Sequence, residues 1–246
     1  MKIQQLSAQA ASVTTDMVEI AQFQDQHDAV FKDLDSATRG RLSERLKEDG
    51  FTGKARQIVG VDTRDLLKTR WVLVHGAGKH EDYTPVHARV IAAKAAKTAG
   101  GERLKRVSFV LPSHKLRSKA CHFAALCAEL GLYKVYKFKK AGDSKAAKVT
   151  RFDILVDGRG KAIKPEKNKT YNAEVKAASA IAGSVARARD LVNEPAGYMH
   201  PTRMAAVAQS IAKKHPQLTV KILSRKECEK MGMGMYLAVA RGAQRE

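Results

Sequence analysis

The sequence predicts an α/β protein that begins with a mixed sheet flanked by helices. The first observation is a set of short runs rich in β-branched or aromatic residues, each ending near Gly, Pro or Asp. These predicted strands lie at 57–61, 71–78, 106–112 and 152–157. The second observation is helical spacing of apolar residues over 84–101 and 118–132, between the later strands. A helix between successive strands indicates βαβ crossovers and a sheet covered on both faces.

Glycines end both crossover helices. The first is predicted to stop at the pair 100–101, and the second stops at Gly131. Two cysteines on the second helix, Cys121 and Cys127, are predicted as small core or boundary residues. With Cys228 they make three cysteines, too few and too scattered for a disulfide framework or a tetrahedral metal site. Their number indicates a reducing, cytoplasmic compartment.

The second half of the sequence predicts only the first elements of a βα domain. Residues 157–172 are polar and rich in breakers, which is typical of an interdomain connector. The segments that follow are predicted as a helix at 175–191, a helix at 202–215, a strand at 218–223, a short helix after a Ser224–Glu227 capping box, and a strand at 236–243. We therefore expect an N-terminal α/β domain over 1–160, a connector and interdomain helix over 161–185, and an incomplete α/β domain over 186–246.

A rigid corner is predicted between the first two helices of that half. Pro195 disfavours the α conformation at Glu194 and supplies no N–H, so it ends the first helix. Pro201, preceded by His200, lies where the next helix can begin. So much fixed geometry is unnecessary in a plain linker, and it indicates that the corner holds two parts of the protein in place.

The charge is unusual. Lys and Arg number 45 against 25 Asp and Glu, a net charge of +20, and residues 51–150 alone carry 21 basic and 7 acidic residues. Such a field attracts polyanions. The candidate polyanion-binding residues are Arg103, Lys105, Arg106, Lys115, Arg117, Lys119, Lys137, Lys139 and Lys140. The alternative is a lysine-rich surface that serves only solubility, and aromatic residues suited to base stacking are sparse there.

Other motifs favour ordinary structural interpretations. The "GAGK" at 76–79 lacks the spacing of a phosphate-binding loop, so a tight turn after a buried strand is favoured. His75, His80 and His87 lie near Glu81 and Asp82, which hints at a metal site. Pro85, however, interrupts any helix that would align these side chains. The histidines are therefore predicted as polar residues of a surface loop.

The segment 186–243 resembles the leucyl aminopeptidase family of di-metal exopeptidases. The resemblance rests on "RDLVNEP" at 189–195, the Pro-Thr helix start at 201–202, "EKMGMG" at 229–234 and the "LAVARG" that follows. The first half resembles that family's N-terminal domain more loosely, through the opening "MKIQQLSAQAASVTTDMVEI" and "VLVHGAGK". The resemblance implies a macro-like N-terminal domain. It also implies a structural junction formed by Arg189, Asp190, Asn193, Glu194 and Pro195.

The same resemblance implies an enzyme that removes N-terminal amino acids from peptides. Such enzymes use two divalent metal ions, Mn or Zn, and assemble as homo-oligomers, as hexamers in this family. The family's metal-binding motifs, Gly-Lys-Gly-x-x-x-Asp-Ser-Gly-Gly and Asn-Thr-Asp-Ala-Glu-Gly-Arg, do not occur in residues 1–246. We therefore expect no metal on this chain, assign it no catalytic or metal residue, and expect it to be a truncated portion that is inactive alone.

Two alternatives to the aminopeptidase interpretation remain open. One is a basic nucleic-acid-binding module, and the other is a non-catalytic scaffold that partners a full-length enzyme. A membrane protein is not expected, because no apolar run approaches the roughly 20 residues that a spanning helix needs. The N-terminus also lacks the features of a secretory signal.

Overall fold

A computed structural model of the chain describes residues 1–26, 28–112, 116–135, 137–138 and 148–243. These form two compact units, 1–186 and 187–246. The strands are β1 Lys2–Ser7, β2 Met17–Gln22, β3 Ile58–Asp62, β4 Trp71–Gly76, β5 Arg106–Val110 and β6 Arg151–Asp157. The helices are α1 Ala29–Ala37, α2 Arg41–Glu48, α3 His87–Gly101, α4 Arg117–Gly131, α5 Pro165–Val192, α6 Pro201–Lys214, α7 Arg225–Lys230 and α8 Gly234–Ala240.

The described strands form one mixed sheet in the order β1-β6-β5-β2-β4-β3. Only β3 runs antiparallel to its neighbour; the other adjacent strands are parallel. The predicted α/β class is confirmed, as are the four predicted strands and both crossover helices. The central strand β2 and the edge strand β1 were not predicted, and neither were α1 and α2.

Helices cover both faces of the sheet. Side chains of α3, α4 and α5 pack with one set of alternating strand residues, including Phe109 and Phe152. Side chains of α1 and α2 pack with the opposite set, including Val18 and Val72. Alternation of side chains across each strand builds these two cores from the same strands. Cys121 and Cys127 are buried in α4, as predicted.

Close packing of α3 on α4 explains the glycine that ends α4. A Cβ built on Gly131 would lie 3.0 Å from the carbonyl oxygen of Ala93 on α3. Alanines line both helices, and several are fully buried, among them Ala92 and Ala95 of α3 and Ala124 of α4. The small side chains let the two helix backbones approach closely over the sheet.

The long helix α5 begins earlier than predicted. The stretch predicted as a connector, 157–172, is helical from Pro165 onward. Tyr171, Val175, Ala178 and Ala182 are buried at spacings of four, three and four residues, so they form one apolar stripe. Tyr171 extends this stripe into the polar stretch, where the surrounding Lys, Glu and Asn residues obscure it in the sequence. The predicted end of the helix before Pro195 is confirmed.

Two strand predictions in the second unit are wrong. No strand occurs among the described residues of 187–246: residues 218–223 have no regular structure, and residues 234–240 form α8. A strand needs a neighbour for its backbone hydrogen bonds, whereas a helix satisfies them within the segment, as when Leu237 N–H donates to the Met233 carbonyl. The capping box is confirmed, because Ser224 and Glu227 exchange reciprocal side-chain and backbone hydrogen bonds before α7.

Candidate functional site

The corner between α5 and α6 is held by backbone and side-chain hydrogen bonds. The carbonyl of Arg189 accepts from the backbone N–H of Asn193 at 2.9 Å and from its Nδ2 at 2.7 Å. The carbonyl of Pro195 then accepts from the N–H groups of Tyr198 and Met199, at 2.8 and 3.0 Å. Two carbonyls of the last turn of α5, those of Arg189 and Leu191, therefore accept from residues of the corner, the second from Glu194 N–H at 3.3 Å.

The start of α6 follows from the two residues before it. His200 is extended, with φ −96° and ψ 167°, and Pro201 occupies the first turn of the helix. Proline is suited to this position because its missing N–H would have no intrahelical partner there. The corner predicted from the proline spacing is therefore present. Its hydrogen bonds come from the Asn193 side chain and from the backbone of residues 193–199.

The basic residues predicted as a polyanion surface lie at different places on the sheet. Arg103 and Lys105 precede β5 and Arg106 begins it, whereas Arg117 and Lys119 follow it at the start of α4. A strand of five residues separates these groups by roughly 16 Å. Lys119 Nζ lies 3.1 Å from Glu174 Oε1, and Lys137 Nζ lies 5.5 Å from the Phe138 ring centroid. Lys115, Lys139 and Lys140 lie outside the described residues.

The surface-loop prediction is wrong for two of the three histidines: His87 is exposed but begins α3, and His75 is not on a loop. It lies in β4 and is 2% exposed. His80 contacts Phe23 edge-on at 4.8 Å between ring centroids, and His87 stacks on Tyr83 at 5.6 Å. Within the described ranges, no group of three or more His, Cys, Asp or Glu side chains is arranged to hold a metal ion.

His75 is buried beside a carboxyl group that sequence reasoning missed. Glu19 lies on β2 and is fully buried, and its Oε1 is 3.3 Å from His75 Nδ1. Burial raises the pKa of Glu19 well above its usual value. Burial, and secondarily the charge of Lys94, lowers the pKa of His75 to about 4. Burial therefore disfavours the charged form of each of the two groups. The signal was an acidic residue inside the apolar run "MVEIAQ".

The predicted tight turn at "GAGK" is not observed, because Gly76 ends β4 and residues 77–79 have no regular structure. The glycines of this segment serve backbone packing. A Cβ on Gly76 would lie 2.0 Å from the carbonyl oxygen of Lys54, so only glycine fits there. Gly78 has φ +78°, which is in the left-handed region that favours glycine. Gly78 N–H donates to the Gly53 carbonyl at 2.9 Å. The glycines therefore let segment 53–54 cross the end of β4.

Together these features define a class of protein. The first unit is an α/β module with a mixed sheet, and the chain continues through a long helix into a helical unit that opens on the proline corner. In the part of the chain that the structure describes, no helix has the length and apolar character to cross a membrane.

Family comparisons assign this class. Residues 17–142 match the model of the cytosol aminopeptidase family's N-terminal domain, and residues 186–246 match that of the family's catalytic domain. The chain belongs to the cytosol aminopeptidase family. The resemblance identified from the "RDLVNEP" corner is therefore confirmed.

Individual relatives agree with this assignment. A probable cytosol aminopeptidase of Pseudomonas aeruginosa (strain UCBPP-PA14) is 31% identical over 218 residues, covering 86% of this chain and 42% of the relative. One of Thermosynechococcus vestitus is 31% identical over 252 residues, covering 99% of this chain and 48% of the relative. The chain thus spans about half the length of the curated relatives that it matches.

Solved structures share the fold. A tomato leucine aminopeptidase mutant superimposes with a TM-score of 0.84 at 23% identity, covering 99% of this chain and 48% of that one. The bottromycin maturation enzyme BotP in complex with Mn gives a TM-score of 0.69 at 20% identity, covering 94% of this chain and 43% of that one.

Proposed function

We propose that this chain supplies the N-terminal domain and the first segment of the catalytic domain of a metal-dependent aminopeptidase, which removes N-terminal amino acids from peptides. The observation that carries the proposal is the order of the two family matches, 17–142 and then 186–246. In this proposal 1–160 is the N-terminal domain, 161–185 is the connector and interdomain helix, and 186–246 begins the catalytic domain.

The corner has a structural role in this proposal. Arg189, Asp190, Asn193, Glu194 and Pro195 end α5 and direct the chain into the first helix of the catalytic domain. The two hydrogen bonds from Asn193 to the Arg189 carbonyl support this role, because they fix the last turn of α5. None of the five residues is assigned a role in the chemistry.

The proposed enzyme uses two divalent metal ions, Mn or Zn. One structural neighbour was solved with Mn, and metal dependence is expected from the family resemblance. The described residues of this chain do not fit such a centre, because they contain no suitable group of ligating side chains. We therefore place the ligands in the portion of the catalytic domain that the relatives have and this chain does not span.

The proposal extends to location and assembly. The word cytosol in the names of the relatives supports a cytoplasmic location. A homo-oligomer, a hexamer by resemblance, is proposed for the whole enzyme, with peptides as substrates.

Neither alternative has comparable support. Nucleic-acid binding is not favoured, because both parts of the chain that match a family model match peptidase domains. No observation favours a non-catalytic scaffold over a portion of an enzyme.

The test is hydrolysis of leucine p-nitroanilide in the presence of Mn²⁺. A fusion of residues 1–246 to the rest of the catalytic domain of the Thermosynechococcus vestitus relative should release p-nitroaniline, and a chelator should abolish the activity. Residues 1–246 alone should release none. An inactive but folded fusion, or chelator-sensitive turnover by residues 1–246 alone, would contradict the proposal.

A further inference from the structure

A cleft of about 850 Å³ opens at the carboxyl end of β2, between α1, α2 and segment 51–53. Phe31 and Leu46 lie in its apolar lining and are buried, and Phe51 is half-buried beside them. Lys32 of α1 and Lys47 of α2 also line the cleft, and both are exposed. None of these residues belongs to the corner or to the proposed chemistry.

The topology of the sheet places this cleft where α/β proteins bind ligands. The chain leaves β2 toward α1 and α2 on one face, whereas it leaves the two neighbours of β2, β4 and β5, toward α3 and α4 on the other. The carboxyl end of β2 is therefore a switch point, beside which the connections diverge and leave a crevice. In open α/β sheets, ligands bind in such crevices.

The wall formed by segment 51–53 is built to a fixed position. A Cβ on Gly53 would lie 2.7 Å from the carbonyl carbon of Phe23, so the two backbones are in direct contact. The Gln57 side-chain oxygen accepts from the N–H groups of Thr52 and Lys54, at 2.9 and 3.1 Å. A cleft with such a wall is formed before any ligand arrives, which reduces the ordering cost of binding.

The charges around the cleft leave its two lysines available. The carboxylate of Asp35, which also lines the cleft, accepts from the backbone N–H of Ser43 at 2.9 Å and from its hydroxyl at 2.5 Å. On the same helix, Asp33 pairs with Arg159 at 3.0 Å. Among the described residues, no carboxylate lies within ion-pair distance of the Lys32 or Lys47 amine.

We propose that this cleft binds a small anionic molecule with an aromatic or other apolar body. The apolar lining would take the body, and the Lys32 and Lys47 amines would contact the anionic group. Ligand pockets commonly combine an apolar lining with a few placed polar groups in this way. This site is additional to the proposed peptidase function.

The experiment is a titration of the ¹⁵N-labelled full chain with sodium 2-naphthoate, followed by amide chemical shifts. Saturable shifts are expected at residues 22–24, 31–36, 40–47 and 51–53. The uncharged 2-naphthamide and the non-aromatic acetate should each bind at least about fivefold more weakly, because each lacks half of the recognised chemistry.

Variants separate the cleft from general charge attraction. Lys32→Met and Lys47→Met keep the aliphatic stems, and together they should weaken naphthoate binding about fivefold or more. Lys97→Met, on α3, should leave it unchanged. Shifts centred elsewhere, equal affinity for the amide, or unchanged affinity in the double variant would overturn the proposal, as would no binding at all. Because the readout is binding, failure here is distinguishable from failure of the peptidase proposal.

Discussion

Glu19 Oε1 and His75 Nδ1 lie 3.3 Å apart on neighbouring parallel strands, and both side chains are buried. Glu19 is opposite Leu73 and His75 is opposite Ala21 in the register, so the two side chains meet diagonally on one face. Neither Glu19 oxygen nor His75 Nδ1 has a hydrogen-bond partner among the described residues. Protonation of this pair is therefore coupled to folding.

Glu19→Gln tests the carboxyl group. Because the folded-state pKa of Glu19 is raised above its ordinary 4.5, the native state holds a proton that the unfolded state releases as pH rises. The wild type should therefore lose stability relative to the variant as pH increases above about 4.5. Urea unfolding at several pH values, followed by Trp71 fluorescence, measures this difference. The exposed Glu44→Gln should show no such trend, and a flat or rising difference for Glu19→Gln would contradict the assignment.

His75→Gln tests the imidazole. The pH dependence of stability that it contributes has the opposite sign to that of Glu19. The folded-state pKa is about 4 against an ordinary 6.5, so the unfolded state takes up a proton that the native state refuses. The wild type should lose stability as pH falls from 6.5 toward 4, by at most about 1.4 kcal/mol per pH unit from this group. The variant should lack this component in the same urea series. His215→Gln, at an exposed position, should still lose stability as pH falls, as the wild type does. If both variants lacked this pH dependence, another group would be responsible.

Parts of this fold were predictable because their signals are local. Strands β4, β5 and β6 are apolar runs, and α3 and α4 show helical spacing between them. The edge strand β1 carries Gln4 and Gln5 in "KIQQLS", so it lacks an apolar pattern. The short apolar run that became α8 cannot be distinguished from a strand by periodicity.

The buried pair depends on register, which sequence patterns do not contain. Glu19 and His75 are 56 positions apart in the chain, and they meet only because β2 pairs with β4. His75 directly follows the apolar residues of the predicted strand 71–78, a local sign of burial, but grouping it with the polar His80, Glu81 and Asp82 favoured a surface loop. The cleft likewise arises from the direction in which successive connections leave the sheet.

Gly53→Ala tests the backbone contact at the end of β2, and Gly50→Ala is its matched control. Both glycines have positive φ, +77° and +61°, so alanine strains both. Only at position 53 would the added Cβ meet backbone, 2.7 Å from the Phe23 carbonyl, whereas position 50 is open. Gly53→Ala should therefore lower the free energy of unfolding by about 1–3 kcal/mol more than Gly50→Ala. Equal losses in urea unfolding would show that the contact is dispensable.

Asn193→Ala tests the corner. The substitution removes the side-chain hydrogen bond to the Arg189 carbonyl while leaving the backbone bond available. The last turn of α5 should open more readily, by about 0.5–1.5 kcal/mol, which is visible as faster amide exchange at residues 191–193. Gln209→Ala removes a comparable exposed amide from α6 and should leave exchange at 191–193 unchanged. Unaltered exchange in Asn193→Ala would refute the assigned role of this side chain.

The most direct measurement is the fate of two peptides that differ only at their amino terminus. The fusion of residues 1–246 to the rest of the catalytic domain of the Thermosynechococcus vestitus relative is incubated with Mn²⁺ and the two peptides. One peptide carries a free N-terminal amino group, and that of the other is acetylated. Mass spectrometry should show stepwise loss of N-terminal residues from the free peptide alone, abolished by a chelator. Internal cleavage, equal cleavage of the acetylated peptide, or no cleavage by the folded fusion would contradict the assignment of this chain to an aminopeptidase.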